Sequence, residues 1–270
     1  IPFDAPEPYA SMYNPEDLPL PPTFGMDLAN KPPQHLAYKL HGQKENFERL
    51  DETALRRVTS LYYGSITLVD TQVGKVIGAL EERRMLDRTV VAFLSDHGEL
   101  LGHFGMLIKS NDEFPMLYDV GLHVPLIVRS PAGERGQVVS DPIELIDLAP
   151  TLLAGAGLEV PSVMQGISHR AALHGAAAAR RDYVFAEAGP VKIIRGVRYK
   201  LVHYPGQRYG ELYDLQRDPH EADNRFDDPE LKPQRERLTR ALLDRLIMAE
   251  APLHGESMRG PAYWRRQYQL

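Results

Sequence analysis

The sequence predicts an α/β fold with a small α+β unit toward its carboxyl end, and three observations lead to it. A run with apolar residues at three- and four-residue steps, from about Asp51 to Leu86, passes directly into the short apolar run Val90 to Leu94. That is a helix feeding a buried strand. Ser95, Asp96, His97, Gly98 and Glu99 then follow at the carboxyl end of the strand, which is where open α/β sheets bind ligands. Beyond residue 182 the period changes to that of short strands separated by turns, and then to one amphipathic helix.

Taken in order, residues 1–36 carry Pro19, Pro21, Pro22, Pro32 and Pro33 and cannot form regular helix or central strand. Phe3, Tyr9, Tyr13, Phe24 and Met26 give this segment apolar anchors, so it reads as an ordered loop wrapping a domain. The helix from Asp51 carries Leu55, Val58, Leu61, Tyr62, Leu68, Val69, Val73, Val76, Ile77 and Leu80, and Asp51 or Thr53 can cap its start. Asp70 on that helix reads as a solvated acid. Asn111 to Val120 reads as irregular chain followed by a short helix. A second buried strand runs from Val124 to Val128, with Pro125 near its start. Pro131, Ala132 and Gly133 make a turn, Val138 to Ser140 a short strand, and Ile143 to Ala154 an apolar helix interrupted by Pro150. Gly166 to Arg181 is a connector in which Ala176 to Ala179 forms a short helix or a flexible link. Strands are expected at Tyr183 to Ala186, Val191 to Arg195, Tyr199 to Tyr204 and Glu211 to Leu215. Leu231 to Ala249 is a helix with Leu238, Leu242, Leu246 and Ile247 on one face. The tail from Pro252, with Tyr263, Trp264 and Arg265, reads as a docking arm or a frayed end.

The chain has 270 residues, enough for one large domain or two modest ones. Its net charge is −6, from 31 basic and 37 acidic residues, and no basic run points to a nucleic-acid partner. An anionic substrate therefore needs local positive charge. The absence of cysteine excludes disulfides and thiolate metal sites. No apolar stretch approaches the roughly 18 residues of a membrane span, so no membrane partner is expected. The compartment is left open.

Within Thr89 to Lys109, Asp96 and His97 can offer one oxygen and one nitrogen to a divalent cation. Gly98 permits a sharp turn and a close approach. Lys109 places an ammonium on the following loop, suited to an anionic oxygen. The competing reading of the same residues is a turn with a surface imidazole and a solvated lysine. His123, just before the second strand, reads as structural or rim.

The run S-D-H-G-E-L-L-G-H-F-G-M-L-I-K, with Tyr118 and H-V-P-L-I-V-R after it, resembles the sulfatase branch of the alkaline phosphatase superfamily. That branch includes arylsulfatases, choline sulfatases and phosphonate monoester hydrolases. Y-Y-G-S-I-T-L-V-D at 62–70, E-L-I-D-L-A-P-T-L-L at 144–153, R-Y-K-L-V-H-Y at 198–204 and E-L-Y-D-L-Q-R-D-P-H-E at 211–221 extend the resemblance over nearly the whole chain. It implies an alkaline-phosphatase-like sandwich of a mostly parallel sheet and helices. Residues 1–165 would form the carboxyl-terminal part of the catalytic domain, and residues 166–270 a small α+β subdomain and tail. It also implies hydrolysis of a sulfuric ester, a small sulfate ester or sulfated sugar, with calcium as the first choice of metal and manganese the second. Asp96 and His97 are then metal ligands, Lys109 contacts the sulfate or leaving-group oxygen, and His103 lies on the substrate side. A homo-oligomer is compatible with this reading.

The departures bear on mechanism. The family nucleophile is a formylglycine made from cysteine or serine in a short motif, and this chain has neither that motif nor the family's amino-terminal aspartate pair. The resemblance is therefore to the carboxyl-terminal half, and these 270 residues alone are expected not to turn over sulfate esters. The family often places a histidine at the position of Phe104, and usually an arginine at that of His123. Two rival readings remain: a phosphonate monoester or phosphodiester hydrolase of the same superfamily, and a non-catalytic scaffold that kept the fold.

Overall fold

Helix α2, Glu52–Glu82, is the longest element of the computed structural model, which describes residues 3–44, 50–109, 117–131, 133, 136–176 and 181–250. Asp51 caps it, its carboxylate accepting the Ala54 N–H at 2.8 Å, which satisfies one of the donors a helix start leaves open. Leu55, Thr59, Ser60 and Gly64 form its buried edge. The proline-rich segment lies along this helix through its aromatic residues. Phe3 meets Tyr62 edge-on, Tyr13 meets Tyr63, and the Tyr13 hydroxyl pairs with that of Thr67. Met26 is exposed and anchors nothing. The segment is also less irregular than its prolines suggest. Helix α1, Pro33–Lys44, begins within it, because proline at the first helical position lacks only an N–H that has no partner there anyway.

Strand β1, Val91–Leu94, follows α2 and pairs with β2, Leu126–Arg129. The α/β class holds, but the mostly parallel sheet is not seen among the described residues, whose strand pairs are all antiparallel. Leu94 pairs with Leu126, so β2 runs back along β1 from the end at which β1 finishes. A parallel neighbour would need a crossover to the opposite end. Helix α3, Asp119–Leu122, stands in that connection. Most of the expected irregular run from Asn111 lies outside the described residues. Val138 to Ser140 is not a strand: Val138 is 89% exposed, and among the described residues no strand pairs with this segment.

Helix α4, Leu148–Gly155, is not broken by Pro150, which sits in its first turn. Glu144 and Asp147 cap the turn before it in a reciprocal pair. Arg181 joins both carboxylates at 2.6 Å, and Arg245 reaches Glu144 at 3.2 Å. Residues 177–180, which hold most of the short helix or flexible link expected at Ala176 to Ala179, and the tail from Pro252 lie outside the described residues.

The carboxyl-terminal unit is the expected meander under a helix. Strands β3, Val184–Ala188, β4, Val191–Arg195, β5, Tyr199–His203, and β6, Gly210–Asp214, pair in sequence order. Helix α5, Lys232–Glu250, covers one face. Ile194, Leu201 and Leu212 pack there against Leu238 and Leu242, with Leu246 partly buried beside them. Ile247 is exposed, so the helix buries a narrower stripe than its sequence suggests. On the other face Val191, Ile193 and Val202 pack with Leu117 and Tyr204. Among the described residues no helix is long and apolar enough to cross a membrane.

Lys31 joins these parts. Its ammonium donates to the Tyr213 hydroxyl at 2.9 Å and to the Glu221 carbonyl. It also lies over the rings of Tyr213, Phe104 and Tyr118 at 4.5, 4.8 and 5.5 Å, a cation–π arrangement. Burial lowers its pKa to about 8, against the opposing pull of Glu211, Glu221, Asp218 and Asp223. Between about pH 8 and the ordinary lysine value near 10.5 the unfolded chain holds this proton and the folded chain sheds it. Its contribution to stability therefore rises with pH across that window. Urea midpoints of the wild type and Lys31→Met, compared from pH 7.5 to 10, should diverge in favour of the wild type above pH 8. A pH-independent difference would contradict this.

Candidate active site

The end of β1 delivers Asp96 and His97 to the surface, and the turn that follows explains their orientation. The Ser95 hydroxyl donates to the His97 carbonyl at 2.8 Å, and the Asp96 carboxylate accepts the His97 N–H at 2.9 Å. Gly98 donates its N–H to the Gly121 carbonyl of α3 at 2.9 Å. A Cβ at Gly98 would collide with the Val120 carbonyl oxygen, so only glycine lets the turn lie this close to α3.

His97 is held by both ring nitrogens. Nδ1 lies 3.0 Å from the Gly98 carbonyl and Nε2 lies 2.5 Å from the Lys109 ammonium. A carbonyl only accepts and an ammonium only donates. Nδ1 therefore carries the proton and Nε2 presents its lone pair. Imidazoles that bind metals are commonly fixed this way, by a donated hydrogen bond from the other nitrogen. The Asp96 carboxylate oxygen Oδ2 lies 3.5 Å from the same Nε2, so an anionic oxygen and a nitrogen lone pair converge on one point. The Asp96 side chain is 85% exposed and that of His97 37%, open to solvent and to ligand.

Lys109 reaches this point from the far end of the loop, and its backbone is fixed. Its N–H donates to the Glu99 carboxylate at 2.8 Å. The Tyr38 hydroxyl from α1 donates to the carbonyls of Ile108 and Lys109 at 3.1 and 3.4 Å. Burial, with Glu99 second, raises the Tyr38 pKa to about 12, which keeps that phenol a donor at any ordinary pH. The loop between is folded by left-handed residues, Leu101, Gly102, Phe104 and Gly105. A side chain at Gly102 would run into Leu55 of α2.

Asp96, His97 and Lys109 thus come together, while His103 is engaged elsewhere. Its Nδ1 pairs with the Thr23 hydroxyl at 2.9 Å and its ring lies 6.5 Å from that of His220. Burial and the neighbouring His220 lower its pKa. Phe104, at the position where the family often has histidine, is 1% exposed and stacks on Tyr118 at 5.0 Å. His123 is an exposed residue closing α3 through its backbone. Asp70 is exposed on α2. Among the described residues no group of three or more histidines, cysteines or acids gathers at one point. For a metal ion the pair fits in donor chemistry and convergence, and would supply two ligands.

Sequence reasoning missed Glu99 and Tyr38 as holders of Lys109. It also missed the residues behind α3. There Asp119 accepts from Arg195 at 2.7 Å and from Lys200 at 2.9 Å. The Glu221 carboxylate accepts the Asp119 N–H and pairs with Lys200, both at 2.5 Å. The one available signal for these was the acid closing the run at 211–221.

Comparison with known proteins fits this geometry. A family model described as "Sulfatase" matches residues 26–158, and one described as "N-sulphoglucosamine sulphohydrolase, C-terminal" matches residues 112–248. An arylsulfatase of Clostridium perfringens is 30% identical over 91% of this chain and 51% of its own length. The structure of a phosphonate monoester hydrolase from Silicibacter pomeroyi superposes with a TM-score of 0.83 at 30% identity, covering 93% of this chain and 55% of that one. A structure solved with its substrate D-glucosamine-2-N,6-O-disulfate has a TM-score of 0.67 at 28% identity, covering 83% and 47%. The chain spans about half the length of the curated relatives it matches. With motif, fold and family models in agreement over most of its residues, the chain belongs to the sulfatase family of the alkaline phosphatase superfamily.

Proposed function

We propose that the protein carrying this chain hydrolyses sulfuric esters, with Asp96 and His97 as ligands of a divalent metal ion and Lys109 as the cation for the substrate anion. The observation that carries the reading is the convergence on His97 Nε2 of the Asp96 oxygen Oδ2 at 3.5 Å and the Lys109 ammonium at 2.5 Å. When bound, a divalent cation supplies Lewis acidity toward an ester oxygen. Calcium is the first expectation and manganese the second.

The chain's own residues do the rest. Asp96 supplies negative charge from the open side of the turn. His97, with its proton on Nδ1 and that proton on the Gly98 carbonyl, keeps Nε2 free of a proton. Lys109 sits on a loop braced by Glu99 and Tyr38 and can place positive charge at an oxygen of the anion or of the leaving group. That local charge offsets the −6 of the whole chain for an anionic substrate. The nucleophile implied by the family is absent from these residues, which contain no cysteine. Sulfated sugars are the favoured substrate class, supported by the likeness to the structure solved with a disulfated glucosamine. His103, on the Gly102-to-Gly105 turn, is the proposed contact on the substrate side.

The likeness to the Silicibacter pomeroyi phosphonate monoester hydrolase favours a second reading. The same tetrahedral anion, metal pair and lysine serve a phosphonate monoester equally well. Rates of the complete protein on matched aryl sulfates, phosphonates and phosphodiesters separate the two. A sulfate rate at or below the phosphonate rate would overturn the first.

In the complete protein, Asp96→Ala or His97→Ala should lower bound divalent metal and turnover together. Metal content by elemental analysis alongside kcat checks this, and full occupancy in both variants would end the assignment. Lys109→Ala should instead retain the metal and lose about two orders of magnitude or more in rate. Lys109→Arg should recover only part of that, since a planar fork does not place charge where a compact ammonium does. Normal kinetics in the alanine variant would return Lys109 to the solvated surface.

A further inference from the structure

The metal loop does not stand alone. Its turn at Gly98 leans on α3, with the Gly98 N–H on the Gly121 carbonyl and the Gly98 α-carbon against Val120. Helix α3 has only four residues, Asp119–Leu122, too few to fix its own position by internal hydrogen bonds. What fixes it comes from the carboxyl-terminal unit. Glu221 receives the Asp119 N–H on one carboxylate oxygen and the Lys200 ammonium on the other, each at 2.5 Å. Lys200 of β5 and Arg195 of β4 hold the Asp119 carboxylate at 2.9 and 2.7 Å. Glu221 is 2% exposed and adopts a left-handed backbone with φ of 55°. A glutamate at such a φ is strained, and strain of this kind persists where the surroundings over-determine it.

We infer that Glu221, with Lys200 and Arg195, is a positioning device for the metal site: it sets α3, and α3 sets the Gly98 turn that aims Asp96 and His97. The inference rests on the metal reading proposed above. Each link is a direct contact. Losing Glu221 frees the α3 backbone and leaves Lys200, fully buried, with one carboxylate in place of two. Asp119 is then free to rotate toward the unbalanced charge, and the Gly121 carbonyl moves with it. The carboxyl-terminal sheet is, on this account, part of the metal site without touching the metal.

The test titrates manganese into the complete, folded protein by calorimetry and reads affinity, with melting temperature recorded in parallel. Glu221→Ala should weaken manganese binding by about 10–100-fold, the usual cost of losing a group that orients ligands. Glu221→Gln retains an oxygen for the Asp119 N–H and should stay much closer to the wild type. Arg195→Gln, which cuts one tether from a part-exposed side chain, should show a smaller loss in the same direction and serves if the alanine variant does not fold. Leu238→Ala removes core volume in the same unit without touching α3, so it should lower the melting temperature and leave affinity unchanged. Asp96→Ala should abolish binding. If Asp96→Ala loses the metal while the Glu221 and Arg195 variants bind as wild type, the positioning role is wrong and the metal site stands. If Leu238→Ala weakens binding as much as Glu221→Ala, the effect is general softening and the inference fails. If Asp96→Ala itself binds normally, the metal reading falls and the inference with it.

Discussion

A buried ammonium must be paired, and Lys200, at 0% exposure, is the charge around which the halves of this chain are fitted together. Taking such a charge out of water costs several kcal/mol even after relaxation. Here two carboxylates from distant segments meet it, Asp119 from the loop side and Glu221 from beyond β6. Burial acts against the Lys200 ammonium, yet Glu221 and Asp119 together hold its pKa above the ordinary value. The triad adds little net stability over an apolar substitute of the same shape. It adds a condition instead. The carboxyl-terminal sheet can be packed in the register that brings β5 under α3, and any other leaves a charge stranded.

The same logic repeats one layer away around the buried Glu211 carboxylate. His35, fully buried, pairs through Nδ1 with the Tyr118 hydroxyl at 2.8 Å and through Nε2 with that of Tyr204 at 3.3 Å. The Tyr204 and Tyr213 hydroxyls both donate to Glu211. Burial first, then the Glu211 charge, keeps Tyr204 and Tyr213 far above the ordinary phenol pKa, so these hydroxyls remain donors. The network spans α1, the residue before α3, β6 and the turn after β5. A connected, satisfied network of this kind rigidifies what it joins, and what it joins is the floor beneath the loop from Leu100 to Met106, whose Phe104 and Leu100 lie in the same cluster as Tyr118 and Tyr213.

How much of this could be read in the sequence follows from separation along the chain. Helix α2, strands β1 and β2, the four-stranded meander and α5 announce themselves by local period, and the structure has them within a few residues of expectation. The meeting of Asp96, His97 and Lys109 was legible for the same reason, as Asp96 and His97 adjoin and Lys109 closes one loop. Helix α1 was not, because it inverts the usual pattern, burying His35 and Tyr38 while Leu36 and Leu40 are exposed. Val138 to Ser140 has the residues of a strand but, among the described residues, no strand paired to it, and β-propensity without a neighbour decides nothing. Pairings such as Lys200 with Asp119, 81 residues apart, or Glu221 with the Asp119 N–H, 102 apart, leave no periodic trace. A buried lysine in a strand looks like a solvated one until the fold is known.

The loop from Asp96 to Lys109 shows how side chains can be exposed and still be well placed. Leu101 and Phe104 hold left-handed φ values of 42° and 53°, each an unfavourable choice for a residue with a side chain. Phe104 is kept there because its ring is buried against Tyr118, with the Lys31 ammonium over both rings, a contact a relaxed backbone would forfeit. The strain and the burial lie on the inner side of the loop, and Asp96, His97 and Lys109 lie on the outer side. A substitution that eases the strain, such as Phe104→Gly, would therefore also remove the ring contact that holds the loop down. The side chains that meet solvent are positioned by residues that never do.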